Sequence, residues 1–245
     1  MNHNLTAPPP RSGRPPPPER ASAPRSWEEM YGLSASPFEG DSAFITFPSH
    51  RQAFERVVRH LLRGDGALLL LGEPGIGKSI LLRAATEAAI QAGLPPGCII
   101  RISDGRQTQA VYPSDARWVA VVDNADPRHL GELRSSIEAA CAVIAINAED
   151  AVAEQPPMGQ LPMGQPTVNQ PGLTWLRLPP LSQSEMEAYI ERRLWTAGGT
   201  VRRLITPDAL TLVLQQARGV PGTANRLMEA VLTAGFIRGD PMIAR

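Results

Sequence analysis

Eight consecutive residues, Gly72-Glu73-Pro74-Gly75-Ile76-Gly77-Lys78-Ser79, have the types and spacing to hold a phosphate. They fit the pattern G-x-x-x-x-G-K-[ST]. Glycines let backbone N–H groups curl around an anion, and a helix starting at the end of the loop adds a partial positive charge. Lys78 would reach the β- and γ-phosphates of a nucleoside triphosphate, and the Ser79 hydroxyl would hold Mg²⁺. The candidate binding stretch runs through Ile80. A second contact to the metal comes from Asp123, which ends the apolar run Trp118-Val119-Ala120-Val121-Val122. A carboxylate at the end of a buried strand, downstream of a phosphate loop, is what Mg²⁺ requires. Asn147 ends another apolar run, Ala142 to Ile146. Its amide can face the γ-phosphate or simply begin a turn.

These groups need a scaffold, and the surrounding sequence describes one. Ala67-Leu68-Leu69-Leu70-Leu71 reads as a buried parallel strand leading into the loop. Ile80 to Ala92, with apolar residues at helical spacing and no Gly or Pro, reads as the helix leaving it. Further strands are expected at Cys98–Ile102, Trp118–Val122, Ala142–Ile146 and Thr174–Leu178, with a helix over Leu130–Ala140. Another helix opens at Pro48-Ser49-His50, with Ser49 as N-cap and Phe54, Val57, Val58, Leu61 and Leu62 as its buried face. His50 reads there as an ordinary surface histidine. Residues 151–172 repeat Pro-Met-Gly-Gln, carry no charge after Glu154 and read as a loop without an element.

From Ser182 the pattern turns helical. Ser182 and Glu185 form a capping box, Thr206-Pro207-Asp208 starts a second helix and Pro221 a third. Arg192-Arg193 and Arg202-Arg203 read as solvated surface. Strands alternating with helices, then helices alone, give an α/β fold: a parallel-sheet core followed by a small helical lid. The expected division is a proline-rich disordered tail over 1–26, a nucleotide-binding domain over 27–178 and a lid over 179–245.

Composition narrows the class without naming a partner. Lys+Arg and Asp+Glu both number 24, so no net charge points to nucleic acid. Two cysteines, Cys98 and Cys141, argue against a disulfide scaffold or zinc site and fit a reducing compartment. No apolar run approaches the roughly 18–20 residues that span a bilayer. A cytoplasmic protein without an integral membrane segment is expected.

Several motifs together resemble a family. Tyr31-Gly32-Leu33 with Pro37-Phe38, Pro48-Ser49-His50-Arg51 and Gly72 to Ser79 are similar to the ATPase domain of general secretion pathway protein A. That group is similar to the ATPases that select transposition targets, within the AAA+ superfamily. Leu178-Pro179-Pro180-Leu181, Tyr189 to Leu194 and Gly219-Val220-Pro221 with Asn225-Arg226-Leu227 agree with it. The resemblance runs from about Trp27 to Phe236. It implies a P-loop NTPase (AAA+) core with a helical lid, ATP and Mg²⁺ as cofactors, and self-assembly into rings or filaments. It makes Tyr31 to Phe38 the expected surround of the adenine base.

The chain departs from the family in four places. Relatives carry Asp-Glu after the third strand, the glutamate polarising the attacking water; here the pair is Asp123-Asn124. An amide orients water but cannot accept its proton. Gly-x-Pro-Arg, whose arginine senses the γ-phosphate, is Gly219-Val220-Pro221-Gly222. The stretch where relatives offer an arginine to the neighbouring subunit is the uncharged Met-Gly-Gln segment. The membrane-spanning and cell-wall-binding part of the secretion protein has no counterpart in these 245 residues. The expected function is ATP binding with slow hydrolysis, with Lys78, Asp123 and Asn124 at the catalytic positions. The alternative is a nucleotide-gated module for a protein or DNA partner.

Overall fold

Four consecutive leucines set the centre of the fold. In β1 (Ala67–Gly72) Leu68 to Leu71 are all buried. Successive strand residues face opposite sides of a sheet. Accordingly Leu68 and Leu70 join one apolar cluster and Leu69 and Leu71 another. A strand apolar on both faces belongs inside a covered parallel sheet. β1 indeed lies between β4 (Cys141–Asn147) and β6 (Leu173–Arg177), parallel to both. β3 (Val119–Asp123) and β2 (Ile99–Ser103) continue the parallel sheet beyond β4. With β5 (Thr167–Gln170) the order is β2-β3-β4-β1-β6-β5. This is the expected α/β architecture.

The computed structural model describes residues 24–40, 44–63, 66–103, 119–125, 141–147, 167–170 and 173–244. The tail up to residue 23, Asp126, the helix expected at Leu130–Ala140 and residues 151–166 lie outside them.

On the Leu68/Leu70 face pack α2 (Pro48–Arg63) and α3 (Lys78–Gln91), through Ala53, Val57, Leu61, Leu81 and Ala85. Three expectations for α2 are corrected. The helix begins at Pro48, and the Phe47 carbonyl accepts from the Arg51 N–H. Proline suits that first position because its missing N–H would find no helical partner. Ser49 therefore sits inside the helix, and its hydroxyl and N–H both bond to Glu185. His50 is buried and bonds to the Pro179 carbonyl at 2.9 Å, so it is not a surface histidine. Leu62 is 41% exposed; the buried face runs through residues 50, 53, 57 and 61.

Residues 167–170 correct the loop expected over 151–172. They form β5, antiparallel to β6, with Thr167 opposite Trp175. The Pro-Met-Gly-Gln repeat ends at Gln165, two residues before the strand begins.

The C-terminal helices are α4 (Gln183–Thr196), α5 (Val201–Leu204), α6 (Pro207–Ala217) and α7 (Pro221–Arg238). Ser182 and Glu185 form the expected capping box, and Thr206 caps α6. Their core includes Met186, Ile190, Leu194, Leu210, Met228 and Leu232. α1 (Trp27–Tyr31) and the segment to Phe38 join this same core. Tyr31, Leu33 and Phe38 bury among these helices, and the Tyr31 hydroxyl donates to the Asp240 carbonyl.

Candidate functional site

The loop from Glu73 to Gly77 joins the C-terminal end of β1 to the first turn of α3. Its glycines are required by geometry. Gly75 and Gly77 have φ of 79° and 105°, a region that side chains disfavour. A Cβ on Gly72 would stand 2.7 Å from the Ile76 side chain, which is itself buried under the loop. No side chain caps α3, since its N-cap is Gly77. The first turn thus brings backbone N–H groups and the positive end of the dipole to the loop mouth.

Lys78 is buried, and its Nζ donates to the carbonyls of Gly72 (2.9 Å) and Glu73 (3.0 Å) and to Asn147 Oδ1 (2.9 Å). Parallel register places Asn147 beside Gly72, which is why the amide reaches the lysine. Asn147 Nδ2 in turn lies 3.5 Å from Asn124 Oδ1. Asn124 follows β3 with φ of 55°, after which the Ala125 N–H donates to the Ala145 carbonyl. Asparagine adopts that left-handed conformation more readily than most residues. Ser79 and Asp123 line one cleft of about 330 Å³, together with Ile80, Thr86, Arg83 and Arg101. The strand ends therefore gather Lys78, Asn147, Asn124, Asp123 and Ser79 on one edge of the sheet. Arg83 and Arg101 were not anticipated. Arg83 follows Ser79 by four residues, a spacing that sets both on one helical face.

The donor set suits a magnesium-bound polyphosphate. It comprises an ammonium among neutral oxygens, a glycine loop at a helix start, and a hydroxyl and carboxylate sharing a cleft.

No protein-family model matches the sequence, and no curated protein matches it. Solved structures do. Drosophila ORC, in a structure bound to DNA, superposes with a TM-score of 0.59 at 14% identity, covering 96% of this chain and 67% of that one. Cdc6p from Pyrobaculum aerophilum gives 0.55 at 15% identity, covering 85% and 68%. Domain III of the Thermotoga maritima replication initiation protein DnaA gives 0.50 at 15%, covering 82% and 90%. The likeness is one of fold, an α/β P-loop NTPase core.

Within this fold the C-terminal helical part, the lid, touches the phosphate loop directly. The Gly222 N–H donates to the Gly75 carbonyl at 2.9 Å. A Cβ on Gly222 would stand 2.9 Å from Gly75 Cα, backbone against backbone. The position at which the resemblance expects an arginine is thus closed to any side chain in this arrangement.

A second lid contact is polar. Glu185 accepts from the backbone and hydroxyl of both Ser49 and Ser182. Burial alone would raise its carboxyl, but those hydrogen bonds, led by Ser49, outweigh it and hold the group at about 2. Burial pushes the neighbouring His50 imidazole down, against the opposing pull of its Pro179 hydrogen bond and Glu185. Of the expected adenine surround, Tyr31, Leu33 and Phe38 are consumed by packing, while Ala35, Ser36 and Pro37 border a crevice beside α4.

Proposed function

We propose that this chain is an AAA+ type ATP-binding protein whose hydrolysis is slow. The observation that carries the reading is Lys78: a buried ammonium held by Gly72, Glu73 and Asn147 at the mouth of a glycine loop. Lys78 and the N–H groups of Gly75 to Ser79 would bind the phosphates, with Gly72, Glu73, Pro74 and Ile80 shaping the loop. Ser79 and Asp123 would hold Mg²⁺, which supplies charge neutralisation at the β- and γ-phosphates. Asn147 would orient the γ-phosphate end, and Asn124 would orient water without taking its proton. An absent arginine donor can lower turnover by about 10³–10⁵-fold where it acts as an arginine finger. The motifs resembling general secretion pathway protein A and the transposition target-selection ATPases support the same reading, with residues 27–178 as the nucleotide domain and 179–245 as the lid.

A second reading is favoured by the Gly75–Gly222 contact. Because the lid rests on the phosphate loop, nucleotide occupancy would set the lid angle and thereby affinity for a partner. A second copy of the chain, a protein or DNA is the partner class, the last because one structural neighbour is bound to DNA. A cytoplasmic location fits a chain with only two cysteines, and no described helix is long and apolar enough to cross a membrane.

Calorimetric titration with Mg-ATP and steady-state turnover on the same sample test both readings. Binding with turnover well below about 1 s⁻¹, the low end for enzymes, is expected. Absence of binding overturns both.

A further inference from the structure

Three buried side-chain polar atoms among the described residues lack a hydrogen-bond partner: Ser36 Oγ, Trp175 Nε1 and Arg193 Nε. Two of the three border the same crevice. It measures about 690 Å³ and lies between the N-terminal segment and the outer half of α4. Arg193 is only 6% exposed, although sequence alone places it on a solvated surface. Its hydrogen bond, from Nη2 to the Glu39 carbonyl, is long at 3.4 Å. A guanidinium offers five N–H donors and cannot shed its charge. Burial of such a group is costly unless an anion accompanies it. The crevice has apolar walls from Pro37, Phe44 and Ile45, and Thr196, Arg192 and Glu39 also border it. An apolar cavity of a few hundred Å³ with a few convergent polar groups is the usual form of a small-molecule site.

We infer that this crevice is a second ligand site, for a small organic anion whose carboxylate or phosphate pairs with Arg193 while its apolar body rests against Phe44 and Ile45. Ser36 supplies a hydroxyl to the same anionic group. None of the crevice residues belongs to the phosphate loop or to the strand ends that carry Asp123 and Asn147. Ala35, Ser36 and Pro37 do fall in the stretch that the resemblance makes the adenine surround, so competition with Mg-ATP decides whether the crevice is a site of its own. A ligand here would join residues 35–39 and 44–46 to α4. Because α4 also holds Glu185 at its other end, occupancy would stiffen the seam between lid and core.

Benzoate and phenyl phosphate serve as probes on the full chain, with benzamide as the neutral control, all measured by calorimetry with and without saturating Mg-ATP. At least one anion is expected to bind with millimolar or better affinity, benzamide at least tenfold more weakly. The stronger of the two anions tells a carboxylate site from a phosphate site. Arg193→Met is expected to weaken anion binding at least tenfold while leaving Mg-ATP affinity within twofold. Should Arg193→Met fail to fold, Ser36→Val is the second variant, with a severalfold loss expected. Binding of neither anion, equal binding of benzamide, retention of affinity in the folded variant, or displacement of the probe by Mg-ATP would each overturn the inference.

Discussion

The two sides of the sheet edge are built to different standards. On the phosphate side the key positions are constrained: Lys78 is held by three oxygens, and Gly72 has no room for a Cβ beside Ile76. On the side that the proposed function assigns to hydrolysis, Asn124 is exposed, and Gly222 stands where the resemblance expects an arginine. The contrast separates two requirements. Holding a phosphate needs a backbone shape, which packing alone can maintain. Splitting it needs a proton acceptor and extra positive charge at defined points, and the proposed reading finds neither at Asn124 or Gly222.

The largest expected effect lies on the constrained side. Lys78→Ala should weaken Mg-ATP binding by about 100-fold, or about 2.7 kcal/mol. Some loss of thermal stability should accompany it, since three oxygens lose their donor. Equal affinity in calorimetry would erase the contrast at its stronger end.

Next comes the junction between the sides. Gly222→Ala places a methyl against the Gly75 backbone, where neither partner is a flexible side chain. The lid must shift, at a cost of roughly 1–3 kcal/mol typical of overpacking. A lower melting temperature with altered Mg-ATP affinity is expected. An unchanged protein would mean that the lid does not rest on the loop in solution. By the same geometry, Gly222→Arg does not restore a sensor unless the lid first moves away.

A smaller effect is expected at the polar seam. The Glu185 carboxyl, held at about 2 against an ordinary 4.5, is ionised over a wider range in the folded chain than in the unfolded one. Its contribution is complete above pH 4.5 and is lost as pH falls towards 2. Glu185→Gln should lower stability at pH 7 by about 1 kcal/mol, a modest figure because the seam is partly exposed. The loss of stability between pH 5 and pH 2.5 should be shallower in the variant. Urea midpoints at both pH values check the slope, and parallel slopes would remove Glu185 from the seam.

Sequence disclosed the strands of the core and the loop between β1 and α3, because glycine spacing and continuous apolar runs have few alternative readings. Asp123 and Asn147 were legible as strand ends for the same reason. Contacts between distant segments were not. Ser49 looks like an N-cap until Glu185, 136 residues away, takes its hydroxyl. Arg193 looks like half of a surface pair, since nothing local shows that Glu39, 154 residues away, takes its hydrogen bond. Gly222 reads as a missing arginine, whereas its meaning in three dimensions is a close approach to Gly75. β5 escaped because a loop-like repeat precedes it immediately.

The smallest expected effect tests whether the weaker side can be repaired. Asp123→Ala should weaken Mg-ATP binding by removing a metal contact, whereas Asn124→Glu should leave binding alone and raise turnover. A positioned general base contributes about 10²–10⁴-fold in favourable cases. Two features reduce that here. Asn124 sits at φ of 55°, so a glutamate there bears a strain that asparagine largely avoids, about 1–2 kcal/mol for an ordinary side chain. Asn124 also lies beside Asn147, whose other side is engaged by Lys78, so a new carboxylate must share that amide or draw on the lysine. A gain of about threefold to tenfold is therefore expected rather than full restoration. Asn124→Asp is the informative companion: aspartate tolerates the left-handed conformation but is one methylene shorter. If strain limits the glutamate, the shorter acid should match it; if reach limits catalysis, only the glutamate should gain. A wild-type rate near or above about 1 s⁻¹, falling on Asn124→Glu, would show that turnover is already supported by a group outside this pair.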